Sequence, residues 1–356
     1  MLALLVLVHE LGHFWTARRL GIAVEEFGIG FPPRARVLFE RNGVKYTLNW
    51  LPIGGFVRFG GEGETLYGAG GSLAAAAPWK KIMVLLAGPL MNLLLAYLIF
   101  SSLLLFNGVP HAIGGLDLGR VVTNSPAAQA GFQQGDTLLK LNGITIGDDP
   151  TIIRQIAEQN TGKSIPVVLL RDGQQLTLNV TPGPWTDPET KDSMPTGYGF
   201  SYAPRIEIEK VGPLGALGAG MNQTGVTLGR FVSAIQQLVG GLLGMNAAPQ
   251  GGVTGVVGMA RGTGEVIQRY GANGFLEWTA LISLNLFLFN LLPIPALDGS
   301  HILFALIELA RRGKRIPPEK EAMVHMVGFA MLMGLMVIVT VSDVAHWIGG
   351  APALGQ

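Results

Sequence analysis

Cysteine is missing from all 356 residues. Disulfides and thiolate metal ligands are therefore excluded, and any zinc would have to be held by His, Asp or Glu. Charge is scarce too: 14% of residues are charged, where an ordinary soluble domain carries about 25%. With 49% of residues hydrophobic, part of the chain belongs in lipid. A net charge of +1, and the lack of a dense basic tract with interleaved aromatics, argue against a nucleic-acid partner. The N-terminus has neither the basic leader nor the small-residue cleavage site of a signal peptide, so its apolar run reads as a retained membrane helix. No internal repeat or low-complexity tract is evident.

What is present is a set of long apolar runs. Four spans are predicted. The first covers 1–20 and exits at Arg18 and Arg19; the second covers 82–106 and is announced by Lys80 and Lys81. The third covers 275–292, with Glu277 at its entry and Pro293 and Pro295 at its end. The fourth covers 323–348, with His325 near one end and Asp343, His346 and Trp347 near the other. Residues 22–60 read as β structure, with strands near 35–40 and 45–51 around the turn Asn42-Gly43. This is either an exposed edge to which an extended peptide adds, or a plain cytosolic loop. Residues 112–183 read as a soluble β-rich domain with one helix at 150–159. A connector, 184–274, follows, and its segment 214–244 reads as a glycine-broken helix lying on the membrane surface. The C-terminal membrane part then covers 275–350.

Basic residues mark cytoplasmic loops. They gather between the first two spans (Arg34, Arg36, Arg41, Lys45, Arg58) and again between the last two (Arg311, Arg312, Lys314, Arg315, Lys320). Four spans put both loops on one side, which predicts them to be cytoplasmic, with the β-rich domain and both termini outside. A fifth span would separate them.

His9, Glu10 and His13 stand in HELGH, inside the apolar run Met1–Trp15. At bilayer depth an ionisable group costs about 2–3 kcal/mol or more without a partner. On a helix, residues four apart share a face, so His9 and His13 aim at one metal while Glu10 reaches a water bound there. The inferred topology carries Asp298, in NLLPIPALDG, to the same end of the membrane. Asp298 is then either a third zinc ligand or the N-cap of the helix that follows.

These residues resemble the site-2 proteases, intramembrane zinc metalloproteases of the bacterial type with one PDZ domain. HELGHFWTARRLGI and NLLPIPALDGSHI match the two signatures of that family. GIGFPP, LPIGGFVRFGGE, AGPLMN and GVTGVVGMARG agree less specifically, and NSPAAQAGFQQGDTLLKLNG resembles a bacterial PDZ domain. The resemblance implies a polytopic α-helical membrane protein of the bacterial inner membrane, with about four transmembrane helices. It also implies a membrane-associated β-hairpin or sheet at 22–60 and one inserted extracytoplasmic PDZ domain at 112–183. By the same resemblance, His9, His13 and Asp298 hold Zn2+, and Glu10 activates water. Asn290 matches a position that holds the substrate's main chain, or else it makes a helix–helix hydrogen bond. Asn92 carries the same ambiguity. The implied partners are single-span membrane protein substrates, such as anti-sigma-factor-like regulators or remnant signal peptides, together with the lipid bilayer. A substrate tail at the PDZ groove is a further implied partner. Two readings compete with a protease: a membrane scaffold presenting its PDZ domain, and a metal-ion transporter. The second would need a polar path through several helices, whereas these groups gather near one face.

Overall fold

The structure, a computed structural model, describes residues 1–60, 72–147, 151–188, 191, 193–242, 244 and 256–348. The glycine-rich segment after Gly60, Pro150, residues 252–255 of GVTGVVGMARG and the side chains of His346 and Trp347 lie outside those described. The chain opens with α1 (Leu2–Arg19), β1 (Val24–Arg41), β2 (Val44–Phe59), α2 (Ser72–Ala75) and α3 (Pro78–Asn107). It continues with β3 (Val109–Val121), α4 (Pro126–Gln129), β4 (Thr137–Leu141), β5 (Ile144–Thr145), α5 (Thr151–Gln159), β6 (Ile165–Arg171) and β7 (Gln174–Val180). Then come β8 (Gly183–Thr186), β9 (Ser193–Gly197), β10 (Phe200–Glu209), α6 (Pro213–Leu242), α7 (Val256–Leu291), α8 (Asp298–Ala310) and α9 (Pro318–Ile348). Two compact units result: a membrane unit of Met1–Phe106 with Gly212–Gln356, and a β unit of Asn107–Val211.

Among the described residues of the membrane unit, three helices are long and apolar enough to cross a bilayer by length and composition: α3, residues 258–291 of α7 and residues 319–345 of α9. With the β sheets, they make this a polytopic membrane protein carrying a β unit. α1 is not among the three. Its 18 residues extend about 27 Å, slightly less than a hydrocarbon core of about 30 Å. α7 runs well beyond the expected 275–292, but its helical geometry breaks at Gly271 (φ 63°, ψ −147°), close to the expected entry. The segment expected to be glycine-broken is instead one continuous helix, α6. Glycine costs a helix about 1 kcal/mol relative to alanine. At Gly220 its bareness is used, because an added Cβ would run into Ser101 of α3.

The hairpin β1–β2 turns at Asn42 and Gly43, both at positive φ (54° and 75°), as a two-residue Asn-Gly turn requires. It folds back on itself. Glu26 pairs with both Arg58 and Lys45, and Phe27 with both Val57 and Tyr46, so residues 26–29 lie between two parts of β2. Buried Glu26 ties the bend, accepting from Thr47 Oγ1 (2.7 Å) and from Arg34 Nε (3.1 Å), with Arg58 at 3.1 Å. This fold-back was not expected, because alternation along one strand does not reveal a strand bordered on both sides by another. Phe14 of α1 meets Phe27 and Tyr46 edge-on at 5.2 and 6.0 Å, which seats the hairpin on the first helix.

The β unit has a sheet in the order β10-β3-β4-β6-β7. Leu116, Leu138, Ile156, Val167 and Leu169 fill its core. It extends past residue 183 because β10 pairs with β3. Paired residues of the two strands are 79 to 100 positions apart in sequence, so short-range pattern does not predict the pairing. Ser125 caps α4 by accepting the amide of Ala128 (3.2 Å). Buried Asp136 accepts from Arg171 Nε and Nη2, both at 2.7 Å, and from the Gln133 amide at 2.9 Å. Burial raises the Asp136 pKa, but these hydrogen bonds and the Arg171 charge outweigh it and hold the carboxyl below its ordinary range.

Candidate metal centre

α1 supplies His9 and His13 from one face, and both are buried. α8 supplies Asp298 from its first turn. The N-cap of that helix is Leu297, with no side-chain cap, so Asp298 is inside the helix and not its cap. His9 Nε2 lies 3.0 Å from His13 Nε2 and 3.0 Å from Asp298 Oδ2, and His13 Nε2 lies 3.4 Å from that oxygen. Zinc with N and O ligands at about 2.0–2.1 Å in a tetrahedron separates its ligand atoms by roughly 3.3 Å. The observed triangle is close to that size. Asp298 Oδ2 is buried and makes no hydrogen bond, as expected of an atom reserved for an ion. The donor set also suits the metal: two imidazoles and one carboxylate leave a fourth position open, the arrangement of catalytic zinc.

α3 shapes the other side of the site. His13 Nδ1 donates to the Val84 carbonyl at 2.8 Å, which leaves its Nε2 lone pair facing the triangle. Four residues on, Gly88 faces the same triangle, and a Cβ there would strike the His13 ring and approach His9 Nε2 at 2.8 Å. Four residues further, Asn92 is fully buried, with its side-chain amide 3.3 Å from His9 Nδ1. Val84, Gly88 and Asn92 thus form one stripe at helical spacing. Of these, Gly88 and Val84 received no expected role. AGPLMN was noticed as a motif, but a missing side chain and a main-chain carbonyl leave no chemical signal in a sequence. Asn92 touches a histidine and is sealed from solvent.

Glu10 and His13 line a cavity of about 390 Å³, together with Val57, Phe59, Asp298 and Glu308. Val57 of β2 lines this cavity with Glu10, and a Cβ on Gly55 of the same strand would touch the Glu10 side chain, so β2 sits beside the expected base. Glu308, 7% exposed, is held by Lys81 Nζ at 2.6 Å and Arg315 Nε at 3.1 Å. Asn290 stands in the last turn of α7, half-buried, and is not among the residues lining this cavity. Gly299, next to Asp298, presses so closely on the carbonyls of Leu291 and Leu292 that no side chain would fit. That explains the glycine of the LDG motif. The structure therefore brings His9, His13, Asp298 and Glu10 together and sets Asn92 behind His9.

Comparison with known proteins agrees with this chemistry. The model of peptidase family M50 matches residues 1–335. A candidate zinc metalloprotease of Clostridium perfringens is 37% identical over 96% of this chain and 95% of its own. Zinc metalloprotease RasP of Oceanobacillus iheyensis is 30% identical over 97% of both chains. The regulator of sigma-W protease RasP of Bacillus subtilis is 32% identical over 96% of this chain and 95% of its own. Among solved structures, the HtrA-type protease AlgW with a decapeptide matches 17% of this chain and 18% of that one at 30% identity, with a TM-score of 0.16. With the family model covering nearly the whole length, the chain belongs to peptidase family M50, the site-2 proteases, and is a zinc metalloendopeptidase of the membrane.

Proposed function

We propose that the chain cuts the transmembrane segments of single-span membrane proteins near the cytoplasmic face, with His9, His13 and Asp298 as the zinc ligands and Glu10 as general base and acid. The observation that carries this reading is the convergence of the three ligand atoms beside Glu10 on a cavity bordered by β2. When bound there, zinc would polarise the scissile carbonyl and lower the pKa of a coordinated water toward roughly 7. Glu10 takes the proton of the attacking water and returns it to the leaving amine. β2, which lies beside Glu10 at Gly55 and Val57, backs the carboxylate for both transfers. His13 keeps its tautomer through Val84, and Asn92 packs its side-chain amide against His9.

A peptide bond in a membrane helix is masked by its own hydrogen bonds, so the substrate must unwind before its carbonyl is reached. Unwinding exposes amides that lipid does not satisfy. Residues 55–58 of β2 pair on one side with β1, and among the described residues no strand pairs on their other side. That edge, beside Glu10, is suited to receive the unwound segment as an added strand. Asn290, eight residues before Asp298, serves as a contact for the substrate's main chain. α1 acts as the fourth span. With four spans, the basic loops flanking the cavity residues Lys81 and Arg315 face the cytoplasm, and the β unit, as a PDZ domain, faces outside. There it admits or docks substrates whose outer part has been shortened, with anti-sigma-factor-like regulators and remnant signal peptides as the expected classes.

The test is cleavage of a model single-span substrate by purified protein in detergent. Glu10→Gln should keep its zinc and lose cleavage. Cleavage at the wild-type rate would remove Glu10 from the mechanism, and a wild type with no proteolysis at all would favour a membrane scaffold.

A further inference from the structure

Asp298 is delivered by residues 292–297, which form neither helix nor strand. Irregular backbone at membrane depth persists only where protein holds it. Two residues before Asp298, Ala296 stands at φ 74°, a left-handed conformation unfavourable for a residue with a Cβ and kept only when the surroundings impose it. Its amide donates to Nδ1 of His325 on α9 at 3.1 Å. Ser300 Oγ approaches the same nitrogen at 3.4 Å while donating to the Leu297 carbonyl at 2.7 Å. His325 is 1% exposed, and its ring stacks on His301 with centroids 3.9 Å apart and planes 16° from parallel. Three residues along α9, Gly328 lies against Pro295 where a Cβ would not fit. Otherwise α9 is the least enclosed of the three long apolar helices, with 11% of its apolar window buried. Besides the contact of Asp343 with the Gly258 amide, α9 thus directs a polar contact to the turn that carries the proposed third ligand.

We infer that His325 is a positioning residue for the metal centre: by accepting the Ala296 amide, it holds the left-handed turn that sets Asp298 against His9 and His13. The inference rests on the metal reading proposed above.

The same geometry argues against a second metal. His301, Glu321 and His325 bring ligand atoms within 4.8 Å of one another. A neutral imidazole has one donor and one acceptor nitrogen. With Nδ1 accepting from Ala296, the proton sits on Nε2, which faces Glu321 Oε1 at 4.0 Å. A protonated nitrogen has no lone pair to give. The two rings are also nearly parallel, so their in-plane lone pairs run side by side and do not converge.

Two substitutions separate these roles. Asparagine places its polar end near the position of Nδ1, and glutamine places it near Nε2. In full-length, zinc-loaded protein, His325→Gln should release zinc to a chelator about 10-fold faster or more, with kcat lowered roughly 10- to 100-fold and KM little changed. His325→Asn should restore both to within about threefold of wild type, since it keeps an acceptor for Ala296. Equal behaviour of the two variants overturns the inference, as does a second equivalent of zinc that His325→Asn loses. If His325→Gln does not accumulate, 15N spectra of histidine-labelled wild type decide: a proton on Nε2 of His325 supports the inference, and one on Nδ1 overturns it. A wild type that takes up no zinc removes the metal reading and this inference together. A wild type holding one zinc, with equal Asn and Gln variants, removes only this inference.

Discussion

The membrane unit and the β unit both bury apolar side chains but differ in the surface they present and in what their buried polar groups do. In the β unit, leucine, isoleucine and valine fill the interior, and its buried carboxylates Asp136 and Asp187 each have an arginine on them. In the membrane unit His9, His13, Asn92 and Ser283 lie inside, while Leu90, Met331 and Ile338 face outward. Water solvates the outside of one and lipid covers the outside of the other, so the hydrophobic effect that builds the β unit supplies little force between the spans. Close approach replaces it. Gly12 against Ala87, Gly220 against Ser101, Gly299 against Leu292 and Gly328 against Pro295 are all positions where a Cβ would collide. A polar group in the membrane unit is therefore either paired or reserved for chemistry, whereas Asp136 in the β unit serves stability.

That contrast is open to direct attack. The largest effect is expected from Glu10→Gln: cleavage should fall about 10²- to 10⁴-fold with zinc content and thermal stability retained. If stability fell instead, Glu10 would be a structural group like Asp136. Next is Gly88→Ala, whose methyl would push into His13 and His9. A ligand shift of about 1 Å costs on the order of 10²-fold in turnover, and zinc stoichiometry by metal analysis should drop in parallel. Asn92→Leu, with the same number of side-chain heavy atoms but without a polar end, should weaken zinc about 10- to 100-fold, read by metal analysis. A loss confined to KM would return Asn92 to substrate binding.

The smallest effect belongs to the β unit. Asp136→Asn should cost about 1–3 kcal/mol of its stability and leave zinc affinity untouched. Because the folded carboxyl of Asp136 is held below its ordinary pKa, its contribution is present above the unfolded pKa and is lost as pH falls through the folded one. Acid unfolding followed by circular dichroism should show this loss in the wild type and a flatter profile in Asp136→Asn.

The two halves of the metal centre differ in how far they could be read in advance. His9 and His13 were readable because four residues on a helix return a side chain to the same face. Asp298 was readable as a candidate because charge asymmetry carried it to the same end of the membrane, yet cap and ligand remained equal alternatives until the cap proved to be Leu297. The stripe Val84, Gly88 and Asn92 was noticed in part, but its meaning depends on which helix faces it. The fold-back of β1 and β2 that brings Val57 to Glu10 had no local signature. Nor did His325, whose partner Ala296 is 29 residues away.

Local rules thus reached the membrane character, the long apolar helices, the Asn42-Gly43 turn and the histidine pair, because each depends on composition or on spacing within one element. The tautomer of His13, the bare surface of Gly88, the left-handed turn at Ala296 and the edge beside Glu10 came from contacts between segments distant along the chain. A helix fixes the direction of its own side chains. What those side chains meet is set by close packing with other helices, and that packing turns two histidines and an aspartate into a single centre.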